Sequence, residues 1–501
     1  MRYTRRGLLA PVAAGLVTTA MAVTTVAASG PAAGATPRAT AGPTAARQAA
    51  TGPAIKLMKA ESTLTLRQHG KGVVYLDPNI YVAALGAPFQ VDPQRISYTR
   101  PVQAYEIVDG HRRLLPSWVM SGWNGLRDFI QLQVRNAKGK VAASRLLNYC
   151  PDTYDPARVD PAGATKSPYP QTCREQDPFP LSSVWGIARG WATDPTELGH
   201  TPNFKLSPGQ YHVTESIPAR YVSLLGIPAK DASATMTLNV VKGAATHLRP
   251  AASVSRPLPS LPRNVPLLSH VPASALPDLV PLPSWGITTS HVRKTHQDFL
   301  NFGATVWVGG HSPLDVEGFR KPGTSTMAAY QYYWRHGKVI GRTRAGTMFY
   351  DNEKGHHHWH FQQFARYVLL KADKKVAVRS EKVGFCIAPS DPVDLALPGA
   401  TWNVPFLGLR GQCGVPAAMW VQEYMPVGWG DTYDQFKAGQ AFNITHLPDG
   451  TYYIEIIANP EHLLHEVTRS NDVSLRKVII SGPAGHRQVS VPAWHGIDPE
   501  K

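Results

Sequence analysis

Cysteine is scarce in this chain, with four residues among 501. They fall as two local pairs, one in each half: Cys150 with Cys173, and Cys386 with Cys413. This spacing is untypical of a cysteine-based zinc site, in which ligands come in closely spaced pairs. In an oxidising compartment the simplest arrangement is two local disulfides, Cys150–Cys173 and Cys386–Cys413.

Charge is also sparse, since only 17% of the residues are Asp, Glu, Lys or Arg. Acidic residues are in deficit, 35 against 51 basic ones, and the formal net charge is +16. The basic residues are scattered and no base-stacking motif accompanies them, so the sequence does not predict nucleic-acid binding. We expect a secreted cationic protein to be attracted to anionic cell-wall polymers, with general solubility as the alternative role of this charge.

Long apolar runs are absent after the N-terminus, so no membrane span is expected once a signal peptide is removed. Three arginines within the first six residues precede an apolar run at residues 7–28, and a small-residue cleavage site follows at 33–35. This pattern predicts a signal peptide over residues 1–35, of the general secretory or the twin-arginine type, and hence a secreted protein. A membrane anchor is the alternative, disfavoured because the run contains mainly Ala and Thr. Residues 36–54 predict a disordered leader.

Segments with helical periodicity are scarce as well, and alternating or β-branched runs predict an all-β protein. Such runs occupy residues 129–136, 234–241, 304–310, 451–459 and 473–480. Proline is dense within residues 246–285, which predicts an extended linker. We therefore expect two β-sandwich domains, an N-terminal one of unknown role at 55–245 and a C-terminal one at 286–482, followed by a tail at 483–501.

The two predicted domains end on similar segments, LSPGQYHVTESIP at 206–218 and LPDGTYYIEIIANP at 447–460. Counted back from the closing proline, Tyr211 corresponds to Tyr453, because 218 − 211 and 460 − 453 both equal 7. This similarity indicates either a duplicated sandwich or a common way of ending one.

The strongest local signal is a histidine cluster, Gly-His-His-His-Trp-His-Phe at 355–361. Successive side chains of a strand point to opposite faces, so His356, His358 and His360 are expected on one face, with His357 and Trp359 on the other. Three imidazoles that converge on one ion suit copper, zinc, iron or nickel, and nitrogen-rich sites favour Cu(II) on affinity. An exposed polar turn and a mononuclear zinc site are the alternatives.

Together with the residues that follow it, this cluster resembles the copper-binding segment of the lysyl oxidase family. The shared pattern is His-x-His-x-His and then Phe364, Tyr367, Leu369 and Leu370. Further segments match the family in the expected order: Lys382-Val-Gly-Phe-Cys386, Gly430-Asp-Thr-Tyr433, Gly450-Thr-Tyr-Tyr-Ile, Asn459-Pro460, Glu466 and Ser470-Asn471. The similarity covers about residues 286–482 and does not extend to the first predicted domain.

The resemblance implies a copper(II)-dependent protein-lysine 6-oxidase or primary amine oxidase. Copper bound by the three histidines would promote oxidation of Tyr433, and Lys382 would join the ring to give a lysine tyrosylquinone cofactor. The substrates would be a primary amine or peptidyl lysine and O2, with an aldehyde, ammonia and hydrogen peroxide as products. Asp431 is a candidate catalytic base, but a role as a turn residue is the preferred interpretation.

Two other functions remain open at this point. A copper-binding or cell-wall adhesion protein of the same fold would have no need of both Lys382 and Tyr433. A hydrolytic zinc enzyme would need a carboxylate general base near the metal, and Glu353 is close in sequence, but no other metallohydrolase motif accompanies it.

Overall fold

The runs that predict strands do form strands, and the described residues form an all-β protein. Besides the strands they include a seven-residue α-helix and four 3-10 helices, Gly70–Gly72, Ser117–Val119, Ala229–Asp231 and Ala273–Ala275. The computed structural model describes residues 55–120, 122–153, 156–173, 177–196, 201–243, 264–352, 357–380, 382, 384–404, 412–437 and 439–498. The predicted signal peptide and leader lie outside these residues.

The first half contains fifteen strands and the helix within the described residues. They are β1 (Ile55–Lys59), β2 (Thr63–Arg67), β3 (Val73–Tyr75), β4 (Ile80–Ala84), β5 (Phe89–Gln94), β6 (Gln103–Val108), β7 (His111–Leu114), β8 (Leu126–Asn136), β9 (Val141–Tyr149), β10 (Ala157–Arg158), β11 (Trp185–Ile187), β12 (Trp191–Thr193), β13 (Asn203–Lys205), β14 (Gly209–Ser216), α1 (Ala219–Leu225) and β15 (Ser233–Val241). The largest sheet has five strands in the order β2-β15-β14-β8-β9, and two four-stranded sheets have the orders β1-β4-β12-β10 and β11-β5-β6-β7.

The second half contributes the remaining strands. They are β16 (Leu279–Pro281), β17 (Trp285–Val292), β18 (Gln297–Val308), β19 (Leu314–Arg320), β20 (Thr326–Arg335), β21 (Lys338–Asp351), β22 (His358–Gln362), β23 (Ala365–Lys371), β24 (Val376–Arg379), β25 (Gly384–Phe385), β26 (Asp391–Pro392), β27 (Trp420–Met425), β28 (Trp429–Tyr433), β29 (Ala441–Asn443), β30 (Gly450–Ala458), β31 (Val473–Ser481) and β32 (Gln488–Ser490).

Three sheets of the second half position the candidate site. One has the order β16-β18-β28-β26, the second β25-β22-β21-β20-β19-β27, and the third β24-β23-β30-β31-β32. Apolar side chains from all three share one core, which includes Val306, Phe361 and Ile454. The strands with the candidate histidines and the candidate tyrosine, β22 and β28, therefore enclose a common interior.

The two halves contribute separate strands but share hydrophobic contacts. A core of the first half includes Phe89, Phe129 and Trp185. A smaller cluster combines Phe179 of the first half with Leu282, Trp285, Trp307 and Val393 of the second. The described residues of both halves accordingly belong to one compact unit.

The described part of the predicted linker, from residue 264 onward, is packed against the second half. Its strand β16 pairs with β18, placing Leu279 opposite Val308. Pro281 is tolerated there because β16 lies at the edge of its sheet. In the predicted tail, β32 pairs with β31 and the Trp494 ring packs edge-on against Phe179.

Both predicted disulfides are present, Cys150–Cys173 and Cys386–Cys413, with Cα–Cα distances of 5.9 and 5.7 Å. They indicate an oxidising, extracellular environment. No described helix has the length and apolar character that crossing a membrane requires.

The similar domain ends form the same local structure, but the predicted equivalence of Tyr211 with Tyr453 is wrong. Tyr211 donates its hydroxyl hydrogen to the Ser207 carbonyl, and Tyr452 donates to the Pro448 carbonyl, each over 2.8 Å and four residues back. Such tyrosine corners are a recurrent feature of β-sandwiches. The second segment has one more residue between its corner tyrosine and its closing proline, so counting back from the proline selects Tyr453 in place of Tyr452.

Candidate active site

A pair of buried histidines occupies one face of β22. His358 and His360 are 3% and 2% exposed, and their Nε2 atoms lie 2.9 Å apart. Trp359 and Phe361, on the other face, pack in the larger hydrophobic core, which also includes Tyr169 of the first half. The alternation predicted from the sequence therefore holds for these two histidines, because β22 is a regular strand.

The separation of the two ring nitrogens fits a shared metal ion. Two imidazoles each about 2.0–2.1 Å from a metal, and at a right angle to one another, have nitrogens about 2.9 Å apart. His360 Nδ1 lies 3.3 Å from Oδ2 of Asp351, on the neighbouring strand β21. A carboxylate at Nδ1 fixes the imidazole tautomer and leaves Nε2 as the ligand atom.

The other histidines of the cluster differ from this pair. His357 is exposed and has a left-handed backbone, φ 54°, so the regular strand begins at His358. His356 and Glu353 lie outside the described residues. Within those residues, no third His, Cys, Asp or Glu joins His358 and His360 in a three-ligand group. A carboxylate and two cysteines, Cys150, Asp152 and Cys173, do cluster, but the cysteines form a disulfide.

Lys382 and Tyr433, which are 51 residues apart in the sequence (433 − 382), are brought together by the fold. The Lys382 side chain is buried, with 8% of the residue exposed. Its Nζ lies 4.1 Å from the centroid of the Tyr433 ring and 4.9 Å from that of Phe385. The primary amine is therefore held over the ring to which the resemblance would join it.

The approach of Lys382 depends on a glycine. Gly439 has φ +79°, and a Cβ at this position would lie 3.0 Å from Cβ of Lys382. Ser380 connects the two segments, since its hydroxyl donates to the Gly439 carbonyl over 2.8 Å and accepts the Lys382 N–H over 3.2 Å. Neither residue was identified from the sequence, because a close tertiary approach leaves no local pattern.

Tyr433 is anchored at both ends. Its hydroxyl oxygen accepts the Cys386 N–H over 3.0 Å, and its carbonyl accepts the Gln440 side-chain N–H over 2.9 Å. Cys386 is itself held by the disulfide to Cys413. Burial and the neighbouring Asp431 carboxyl raise the pKa of Tyr433 well above its usual range, so the neutral phenol is the stable form.

Asp431 lies within β28, so its interpretation as a turn residue is wrong. It is 5% exposed, and burial raises its pKa well above the usual range, with the Lys382 ammonium opposing this rise. Its Oδ2 has no hydrogen-bond partner within the described part of the chain. Because side chains alternate along a strand, Asp431 and Tyr433 share one face of β28.

Glu423 is a further buried acid that sequence reasoning missed. It is fully buried on β27, and its Oε2 accepts the Ile387 N–H over 3.1 Å. Burial raises its pKa well above the usual range, and the Asp431 carboxyl adds to this rise, so the two acids are close. A sequence signal did exist, because Glu423 occupies an inward position of the alternating strand Trp-Val-Gln-Glu-Tyr-Met.

Strand β25 links the histidine pair to the lysine and tyrosine. Gly384 packs so closely on β22 that a Cβ there would lie 2.9 Å from Cβ of His360. The next residue, Phe385, contacts the Tyr433 ring edge-on, with ring centroids 5.4 Å apart. Strand β25 therefore contacts both the histidine strand and the Tyr433 ring, and because Phe385 pairs with Phe361, its side chain lies on the face opposite His358 and His360.

No protein-family model matches the chain, and no curated protein matches it in sequence.

Proposed function

We propose that this protein is a secreted, copper-dependent amine oxidase whose second half is a catalytic β-sandwich of the lysyl oxidase type. A primary amine or a peptidyl-lysine side chain, O2 and water would give an aldehyde, ammonia and hydrogen peroxide. In this proposal the first half is a second β-sandwich, packed against the catalytic one, and the net positive charge attracts the protein to anionic cell-wall polymers.

The observation that carries the proposal is the buried Lys382 amine 4.1 Å from the Tyr433 ring centroid. A cation–π contact of this kind also occurs in proteins without catalytic function. Here, however, the pair lies beside two buried acids, and Phe385, which contacts the Tyr433 ring, belongs to the strand that pairs with the histidine strand β22. A purely structural role would require none of these neighbours.

His358 and His360 would bind the copper ion, with His356 as the third ligand expected from the sequence. When present, copper and the lysine tyrosylquinone supply the redox chemistry, since they transfer the electrons of the amine to O2. Imidazole ligands alone suit zinc equally well. The Lys382–Tyr433 pair favours copper, because zinc has no redox chemistry with which to modify a tyrosine.

Asp431 is suited to accept protons at this site. A substrate amine arrives as an ammonium ion and must lose a proton before its nitrogen is nucleophilic. The raised pKa of Asp431 means that its carboxylate, once ionised, binds a proton more tightly than an exposed aspartate does, and its Oδ2 has no hydrogen-bond partner among the described residues. Burial of the surrounding residues excludes water from the reacting groups.

The alternative is a metal-binding or cell-wall adhesion protein with no turnover. The two proposals differ in what copper-loaded, aerated protein does with phenylhydrazine. An amine oxidase forms a coloured adduct with its quinone and releases peroxide from primary amines, whereas zinc-loaded protein and Lys382→Arg do neither. Guanidinium stays protonated and cannot join the ring, which makes Lys382→Arg the matched control. If copper-loaded wild-type protein forms no phenylhydrazine adduct and releases no peroxide from a panel of primary amines, the amine oxidase proposal fails and the metal-binding or adhesion protein is favoured.

A further inference from the structure

A segment of the first half, residues 177–182, inserts beneath the strand that carries Tyr433. Phe179 is fully buried there in the cluster that includes Trp307 of β18. The backbone N–H groups of Leu181 and Ser182 both donate to the Val393 carbonyl, over 2.6 and 3.1 Å. The segment is therefore attached to the second half through its backbone as well as its side chains.

Asp177, at the start of this segment, begins a chain of hydrogen bonds that reaches β28. Its Oδ2 accepts the hydroxyl hydrogen of Thr305 over 2.7 Å. Thr305 lies opposite Thr432 in the sheet, and the two hydroxyl oxygens are 2.8 Å apart. Since a hydroxyl has one hydrogen, Thr432 donates to Thr305 and Thr305 donates to Asp177.

Thr432 is the residue between Asp431 and Tyr433, so its position determines theirs. Its side chain points to the face opposite Asp431 and Tyr433. Its backbone N–H donates to the Ser390 hydroxyl oxygen over 2.9 Å. The side-chain bond to Thr305 and the backbone bond to Ser390 together fix β28 where the tyrosine leaves it.

Asp177 is itself held in one orientation. Its Oδ1 accepts the Phe179 N–H over 2.8 Å, and Arg95 donates to the carbonyls of Pro178 and Pro180. Asp177 and Thr305 are almost completely buried, at 1% and 0% exposed. The rigid end of the hydrogen-bond chain thus belongs to the first half.

We infer that Asp177 is a positioning residue for Tyr433 and that the first half is for this reason part of the catalytic centre. This inference rests on the proposed function only where it concerns the joining of Lys382 to Tyr433. The placement of β28 is a property of the fold and can be measured separately.

The experiment compares Thr305→Val, which removes the hydroxyl at nearly constant volume, with Thr305→Ser, which keeps it. Thr214→Val is the control at a distant and more exposed position, because Thr214 and Thr235 form another cross-strand hydroxyl pair 2.8 Å apart, on β14 and β15. The first readout is amide hydrogen exchange of the peptide 429–433. The second is the rate at which the Lys382 and Tyr433 peptides become joined in copper-loaded protein.

We expect Thr305→Val to speed exchange of β28 by about tenfold, as for the loss of one buried hydrogen bond. Joining of the two peptides should slow by about tenfold or more, since reactions are steeply sensitive to placement. Copper binding should stay stoichiometric. Thr305→Ser, which keeps the hydroxyl, should give wild-type values for both readouts. If Thr305→Val does not fold, Asp177→Ala replaces it and should show the same faster exchange and slower joining.

Exchange of β28 in Thr305→Val and Asp177→Ala equal to that in Thr214→Val would overturn the inference. Faster exchange with unchanged joining would overturn it as well, since β28 would then be anchored without any consequence for Tyr433. If wild-type protein never joins the two peptides, the proposed function fails, while the exchange data still decide whether Asp177 positions β28.

Discussion

Replacing Gly439 tests how Lys382 is held over the tyrosine ring. Gly439 has φ +79°, and an added Cβ would lie 3.0 Å from Cβ and 3.4 Å from Cγ of Lys382. Gly399 provides a matched control, because its φ is +87° and a Cβ there would meet no atom within 4 Å. Gly439→Ala and Gly399→Ala therefore share the backbone perturbation and differ in the contact with Lys382.

The size of the expected effects follows from the left-handed backbone at both glycines and from the contact with Lys382 at Gly439 alone. A left-handed conformation costs an L residue about 1–2 kcal/mol, so both variants should lose about this much free energy of unfolding. In Gly439→Ala the lysine must also move by a few tenths of an ångström to restore an ordinary contact. Because a misplacement of about 1 Å can slow a reaction about 100-fold, we expect joining of Lys382 to Tyr433 to slow about tenfold.

Denaturant unfolding, copper stoichiometry and the rate of joining, followed by peptide mass spectrometry, separate these effects. Both variants should bind copper normally and be destabilised to a similar degree. Only Gly439→Ala should be slow to join the two residues. Equal joining rates in Gly439→Ala and Gly399→Ala would refute the argument that Gly439 sets the position of Lys382.

Three further predictions concern the histidine pair, the carboxylate beside it and a buried acid of the first half. His358→Ala should lose most bound copper while His357→Ala keeps it, measured by metal analysis; full copper in His358→Ala would contradict the assignment. Asp351→Asn should weaken copper affinity about 10–100-fold in a competition titration, because the orienting carboxylate is lost; unchanged affinity would argue against that role. Glu215→Gln should stabilise the protein by roughly 1–3 kcal/mol at pH 8, since the fully buried Glu215 carboxylate lacks hydrogen-bond partners among the described residues.

The pH dependence of the stability gained in Glu215→Gln follows from the direction of the Glu215 pKa shift. Burial raises the pKa of Glu215 well above its usual range, with Asp194 and Asp77 adding to the rise. A raised folded-state pKa means that the folded protein binds the proton more tightly than the unfolded chain, so wild-type stability falls as the pH rises above the unfolded pKa, about 4.3. The advantage of Glu215→Gln should therefore shrink towards pH 4.5. A constant difference across this range would show that the charge of Glu215 is not its cause.

Strand positions were predictable where the side chains alternate in character. The runs at 129–136 and 473–480 lie within β8 and β31, because half-buried strands carry apolar residues at every second position. The same rule correctly places His358 and His360 on one face. It could not predict the left-handed His357, since a positive φ at a non-glycine residue depends on tertiary contacts.

The proximity of Lys382 and Tyr433 was expected from the family resemblance alone, since no periodicity connects residues 51 positions apart (433 − 382). Contacts between the halves were not predicted at all. Phe179 and Trp307 are apolar residues that a core requires, but their pattern does not specify the partner surface on which each is buried. Asp177 likewise belongs to no recognisable motif, and only the structure shows the hydrogen bonds that connect it through Thr305 to Thr432.

The central claim is that Lys382 and Tyr433 become covalently joined to form the cofactor of an amine oxidase. The most direct measurement is peptide mass spectrometry of copper-loaded, aerated protein after phenylhydrazine treatment and disulfide reduction. The account predicts one joined species that contains both residues and the phenylhydrazine adduct, absent from Lys382→Ala although copper is retained. Separate, unmodified Lys382 and Tyr433 peptides from protein with full copper content would contradict it.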